Sequence, residues 1–287
     1  MRDTYDRIVT ALLLARGPTT LAELAAAADC DAALAQETVD ELRADGLVVV
    51  DDDAICWRAY TLTTREEIAA SSYDLRPHDE PVAILQEYLA TEYTPPPHAR
   101  YLAVYQCSAR RPFSSSPSHG SINHAIVAAT GYHPKRHAAK CPVHVVVLAA
   151  KGGPIPYDLE GVFPACIRAE GLGQFSPEEY EEARATLAQY VARYLKAHAG
   201  HYDGIATFTS GRWADVMEAA RSMSDLDFPV LPRSDGPSLT RVGDTVPHTY
   251  WQKRWIQLAL AIMGMMPEDE RHAAEARLRD MGAEWTG

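Results

Sequence analysis

Between Arg100 and Tyr157 the chain contains no aspartate or glutamate. That stretch carries seven cations: Arg100, Arg110, Arg111, Lys135, Arg136, Lys140 and Lys151. The net charge of the whole is -12, so the residues outside the block carry -19. An acid-free block in an acidic protein points to a local anion site for phosphate, carboxylate or nucleic-acid backbone. No apolar run approaches the about 20 residues of a membrane span. The five cysteines (30, 56, 107, 141 and 166) form no CxxC pair and are odd in number, which argues against a disulfide framework. The first residues carry Asp3 and Asp6 and no small-residue cleavage site, which makes a poor signal peptide. The expectation is a cytoplasmic protein with free thiols and no membrane partner.

What is present divides the 287 residues into two parts and a connection. "TYDRIVTALLLAR" has apolar residues at helical spacing. Thr20 with Glu23 forms a capping box for "LAELAAAAD", and "AALAQETVDELRADG" is a further amphipathic helix ending at Gly46. "LVVVDDDAICWRAYTL" reads as two strands around an acidic turn. This order predicts a winged-helix domain over residues 1–62. Its charge opposes DNA binding: residues 1–53 hold twelve acids against four arginines, and the second helix of the pair carries Glu37, Asp40, Glu41 and Asp45 against Arg43. A protein partner or a homodimer contact through this domain is the expectation. Residues 63–98 read as a helix followed by the stiff "TPPPH" linker. From residue 99 to 287 strands alternate with helices: "ARYLAVYQ", "CPVHVVVLAAKGG", the helix capped by Ser176 and Glu179, "YDGIATFTS", "GRWADVMEAARSM", "FPVLP" and "HTYWQKRWIQLALAIMGMM". That alternation predicts an α/β fold, three layers around a mainly parallel sheet. Ligands in such sheets sit beyond the C-terminal strand ends, where Cys107 falls.

The loop after the first of these strands, "QCSARRPFSSSPSHG", holds Cys107, Ser108, Arg111, Pro112, Phe113, Ser116, Ser118 and His119. It resembles the archaeosine synthase signature of a cysteine, a basic residue, proline and an aromatic, then serine and histidine. A second block, "VHVVVLAAKGGPIPYDLEGVFPA", is similar to that family at Val143, His144, Gly153, Pro156, Asp158, Leu159, Glu160, Phe163 and Pro164. The resemblance runs over roughly residues 100 to 220. It implies a sheet like that of uracil-DNA glycosylase, without the family's transglycosylase barrel or RNA-binding domain. It also implies an amidine-forming transferase that adds an amine, lysine in the family, to the nitrile of 7-cyano-7-deazaguanine in tRNA, DNA or a free nucleoside. The chain departs from the pattern at Gln106 (proline in the family), Arg111 (lysine) and Phe113 (tyrosine).

Adding an amine to a nitrile needs a base for the amine, an acid for the nitrile nitrogen and a donor for developing charge, or a thiolate that adds first. Cys107 suits the nucleophile if Arg111 and backbone N–H groups lower its pKa. His119 suits proton transfer near neutral pH, and Glu160 suits the base. Ser108, Arg111, Ser116, Ser118, Gly153 and Asp158 are the expected substrate contacts. Ser116 and Ser118 also read as caps of the helix around "INHAIVAA". His133, His137, Cys141 and His144 have metal-like spacing, but Pro134 and Pro142 interrupt it, so no metal or cofactor is expected. The alternative is a winged-helix regulator or nucleic-acid-binding protein whose α/β part binds a nucleobase-like ligand without catalysis.

Overall fold

The computed structural model describes residues 2–61, 75–108, 110–167, 171–241 and 253–286. Three helices open the chain: α1 (Arg2–Ala15), α2 (Leu21–Ala27) and α3 (Ala32–Ala44). The Thr20 side chain accepts from the Glu23 amide while the Glu23 carboxylate accepts from the Thr20 N–H, closing the box that starts α2. Asp31 caps α3 through the Leu34 amide. An antiparallel pair follows, β1 (Val48–Asp51) with β2 (Ala54–Trp57). Glu37, Asp40, Glu41 and Asp45 all lie exposed along α3.

This first part is fastened to the rest. Trp57, fully buried, stacks on Phe163 with ring centroids 4.7 Å apart. The Tyr60 hydroxyl donates to Leu13 O and accepts from the Phe163 amide. Arg16 donates to Asp158 O at 2.8 Å. Helix α4 (Glu80–Thr91) packs on α1 as well as on the α/β part.

The sheet contains β3 (Tyr101–Gln106), β4 (Val143–Ala149), β5 (Gly153–Pro156), β6 (Gly204–Phe208) and β7 (Val230–Leu231). Its order is β5-β4-β3-β6-β7, all parallel except the β5 edge. Every residue of "VHVVVLA" in β4 is buried, as a strand covered on both faces requires. The architecture is a mixed α/β fold around a mostly parallel sheet.

The helices are α5 (Pro117–Thr130), α6 (Pro177–His198), α7 (Arg212–Ser224), α8 (Trp255–Gly264) and α9 (Glu268–Asp280). The crossover through α5 runs from β3 outward to β4. The next, through α6, passes back over β3 to β6. Right-handed crossovers in opposite directions place their helices on opposite faces. The packing agrees: α5 touches α8 and α9, whereas α6 touches α7 and α4. The reversal opens a crevice between the C-terminal ends of β3 and β6. Of the long helix expected from "HTYWQKRWIQLALAIMGMM", the described part is Trp255–Gly264; residues 248–252, Trp251 included, lie outside the described residues. No helix among the described residues is long and apolar enough to cross a membrane.

Candidate functional site

The crevice at the strand reversal holds a cleft of about 410 Å³. Gln106 and Cys107 enter it from the end of β3, and Phe208, Thr209 and Ser210 from the end of β6. Ser118, His119 and Ile122 come from the first turns of α5, Pro232 from beyond β7, and Lys253 and Arg254 from the approach to α8.

Helix α5 starts at Pro117 because Ser116 caps it: the Ser116 hydroxyl accepts from the His119 amide at 3.2 Å. Ser118 Oγ lies 3.2 Å from Ser116 Oγ. His119 is almost wholly buried, and both its ring nitrogens are engaged. Nε2 lies 3.1 Å from Gln106 O and Nδ1 lies 2.8 Å from the Tyr157 hydroxyl. A carbonyl only accepts, so Nε2 carries the hydrogen and Nδ1 is left as the acceptor facing the Tyr157 hydroxyl, which also lies 3.3 Å from Asn123 Oδ1. Burial holds the His119 pKa down to about 4, against the bond to Gln106 and the charge of Glu160, which pull it up. The expected titration near neutral pH is therefore not found: an imidazolium here would lose its hydration and its acceptor role together.

Cys107 is half-buried and extends the β3–β4 pairing by donating its N–H to Leu148 O at 2.9 Å. Burial pushes its thiol pKa up; a backbone bond from Ala150 and the Arg111 charge pull the other way and do not prevail. The expected lowering by Arg111 is outweighed by desolvation.

Arg111 does not line the cleft. Its guanidinium donates to Ala165 O and Ser108 O at 3.1 and 2.6 Å, and its Cζ sits 3.9 Å from the Phe113 ring centre. Arg111 and Phe113, two departures from the family pattern, thus touch each other, a planar cation on an aromatic face. The third departure, Gln106, also has a partner. Gln106 Oε1 accepts from the Ser210 amide at 2.8 Å and from its hydroxyl at 3.1 Å, tying β3 to β6 at the cleft floor.

Glu160 is buried outside the cleft lining. Its carboxylate accepts from the Ser114 amide (2.9 Å), the Ser114 hydroxyl (2.6 Å) and Lys135 Nζ (2.8 Å). It pins the turn Phe113–Ser115 instead of facing Cys107. Asp158 faces a different hollow, with His144 and His98, toward the N-terminal strand ends. It accepts from the Tyr93 hydroxyl at 3.1 Å and lies 3.5 Å from His144 Nε2. Burial raises its carboxyl pKa, but the bonds from His144 and Tyr93 leave it below the usual range. Gly153, at φ +73°, makes its close approach to Gln86 of α4, whose amide donates to Gly152 O and Pro154 O. Ser108 Oγ donates to Arg110 O, away from the cleft lining.

Of the nine expected residues, Cys107, Ser118 and His119 share the cleft, and Ser116 caps the helix that supplies two of them. Thr209, Ser210, Lys253 and Arg254 were not anticipated. The rule that ligands sit at strand ends would have flagged "TS" after "IATF"; nothing in the local sequence ties Lys253 and Arg254 to Cys107. Among the described residues no group of His, Cys, Asp and Glu is arranged to hold a metal ion.

Residues 82–240 match the profile of a family described as "Domain of unknown function (DUF5591)". Over 108 residues the chain is 29% identical to archaeosine synthase subunit alpha of Thermococcus kodakarensis, covering 38% of this chain and 18% of that one. The chain thus spans less than a fifth of that relative's length, a distant and partial relation. Among solved structures, AF0587, titled a protein of unknown function, is 15% identical with a TM-score of 0.41, covering 71% of this chain and 59% of that one.

Proposed function

The chain belongs to the family described as a domain of unknown function (DUF5591), and from that premise we propose that its cleft joins an amine to the nitrile of a 7-cyano-7-deazaguanine. The observation that carries this reading is the meeting of Cys107 and His119, two members of the motif, on one cleft at the strand reversal. The partial relation to a protein named archaeosine synthase subunit alpha supports the reaction class.

In this reading Cys107 is the nucleophile. Burial raises its thiol pKa, so the thiol proton must pass to the nitrile nitrogen as the sulfur attacks. Sulfur bonds to the nitrile carbon and the thiol proton ends on nitrogen, giving a thioimidate. The amine then attacks the same carbon. The C–S bond breaks, the sulfur recovers the proton that the amine gives up, and an amidine leaves. Amine and nitrile are the only reactants consumed. His119 is a positioning residue: its neutral ring bridges Tyr157 and Gln106 and holds the end of β3 against the first turn of α5. Glu160 and Asp158 stiffen the surrounding loops.

The test is incubation with the nitrile base, free, as nucleoside and in tRNA, with lysine and other amines, followed by mass spectrometry. The expected product is heavier than the nitrile by the whole mass of the amine. Ligand binding without product for any donor favours a second reading, a protein that binds a nucleobase-like ligand without catalysis. One observation supports that alternative: the Glu160 carboxylate is committed to Ser114 and Lys135 and offers the amine no base. Residues 1–62 are read in either case as a winged-helix module with an acidic outer helix for a protein partner or second copy. Residues 63–98 connect it to an α/β domain over 99–287 of a cytoplasmic protein.

A further inference from the structure

Four features converge on the cleft that the nitrile reaction does not use. First, its lining contains no aspartate or glutamate among the described residues, yet contains Lys253 and Arg254. Both cations are exposed, and among the described residues neither has a carboxylate partner. Second, the 14-residue helix α5 begins at the cleft. Pro117 has no N–H and the His119 amide is taken by Ser116, so the Ser118 amide is the first-turn donor that helix geometry leaves over. That end of the helix carries the positive side of its dipole. Third, Thr209 is 2% exposed and its hydroxyl has no hydrogen-bond partner among the described residues. A buried hydroxyl left unbonded is costly, and a ligand oxygen brought within its reach at the cleft wall would relieve that cost. Fourth, Phe208 and Ile122 supply apolar wall beside these polar groups.

We infer that the cleft contains a phosphate subsite, formed by Lys253, Arg254, the Ser118 amide and the Thr209 hydroxyl, and takes a nucleotide-sized ligand rather than a polynucleotide. The inference rests on the preceding section for the base and adds the phosphate. A cleft of about 410 Å³ matches small-molecule sites. The residues outside 100–157 sum to -19, a protein-wide charge that disfavours a long polyanion more than a single phosphate.

Titration calorimetry at low salt tests this with guanosine against guanosine 5′-monophosphate, and with 7-cyano-7-deazaguanosine against its 5′-monophosphate. Each monophosphate should bind at least about tenfold tighter than its nucleoside. In the double variant Lys253→Gln/Arg254→Gln that advantage should vanish while nucleoside affinity stays within about twofold, and Thr209→Val should reduce it by several-fold. Lys253 and Arg254 are exposed, so circular dichroism should be unchanged in the double variant. Equal affinity for nucleoside and monophosphate, or no monophosphate binding at millimolar concentration, overturns the inference. So does tighter binding of a 12-nucleotide single strand than of the monophosphate. A phosphate advantage without amidine formation would sink the catalytic reading alone. Amidine formation with no phosphate advantage would sink the subsite alone.

Discussion

Lowering the pH should destabilise this protein through His119 in a way that a single substitution isolates. The ordinary histidine value of 6.5 falls to about 4 in the folded chain, because the ring is buried between Tyr157 and Gln106. Between those two values the unfolded chain binds a proton that the folded chain refuses, so stability falls as pH falls through the window. The folded state holds the full benefit near pH 7. About 2 kcal/mol of it is gone by pH 5 and about 3 kcal/mol by pH 4. His133 is also held down to about 4 and adds to the acid sensitivity. Comparison of wild type with His119→Gln cancels that contribution. Urea unfolding followed by tryptophan fluorescence at pH 7, 6, 5 and 4 gives the stability gap between the two proteins. The gap should narrow by about 2 kcal/mol at pH 5, because glutamine has no proton to refuse. A gap that stays constant from pH 7 to pH 4 would refute the neutral, doubly bonded imidazole on which His119's positioning role depends.

Cys107 should react with iodoacetamide slowly at pH 7 and faster as pH rises, with a midpoint above the ordinary thiol value of 9.0; peptide mapping that finds a midpoint below 8 would contradict its burial-raised pKa. Glu160→Gln should cost about 2–3 kcal/mol, since one carboxylate holds two donors of Ser114 and the Lys135 ammonium. Hydrogen exchange at the Ser114 amide should quicken in that variant, and an unchanged rate would remove the pinning role. Gly153→Ala should destabilise by at least about 1–2 kcal/mol, because φ is +73° and the added Cβ would come within 3.0 Å of Gln86. An unchanged urea midpoint would show that Gln86 yields freely.

The parts of the fold governed by short-range chemistry were readable from the sequence. Thr20 with Glu23 and Ser176 with Glu179 close their capping boxes as the spacing requires. Ser116 caps α5, and the β-branched run "VHVVV" becomes a strand buried on both faces. The motif residues Cys107 and His119 meet because a strand end and the next helix start are joined by a short loop. Side-chain direction was not readable. Glu160 lies only two residues beyond Asp158, yet one pins the Ser114 turn and the other faces Tyr93 and His144. Gly153 has the backbone freedom that was expected, but the group approaching it is Gln86, 67 positions earlier in the chain. Lys253 and Arg254 reach the cleft across the return of the chain past β7, a contact no local pattern encodes. Gln106, a departure from the family signature, has its reason only in the bonds from Ser210.

The central claim is that Cys107 adds to a nitrile bound in this cleft. Intact-protein mass spectrometry with 7-cyano-7-deazaguanine and no amine tests it most directly. The account predicts a gain equal to the full mass of the base, mapped to Cys107, absent in Cys107→Ala and discharged when lysine is added. Amidine formation that persists undiminished in Cys107→Ala would contradict it.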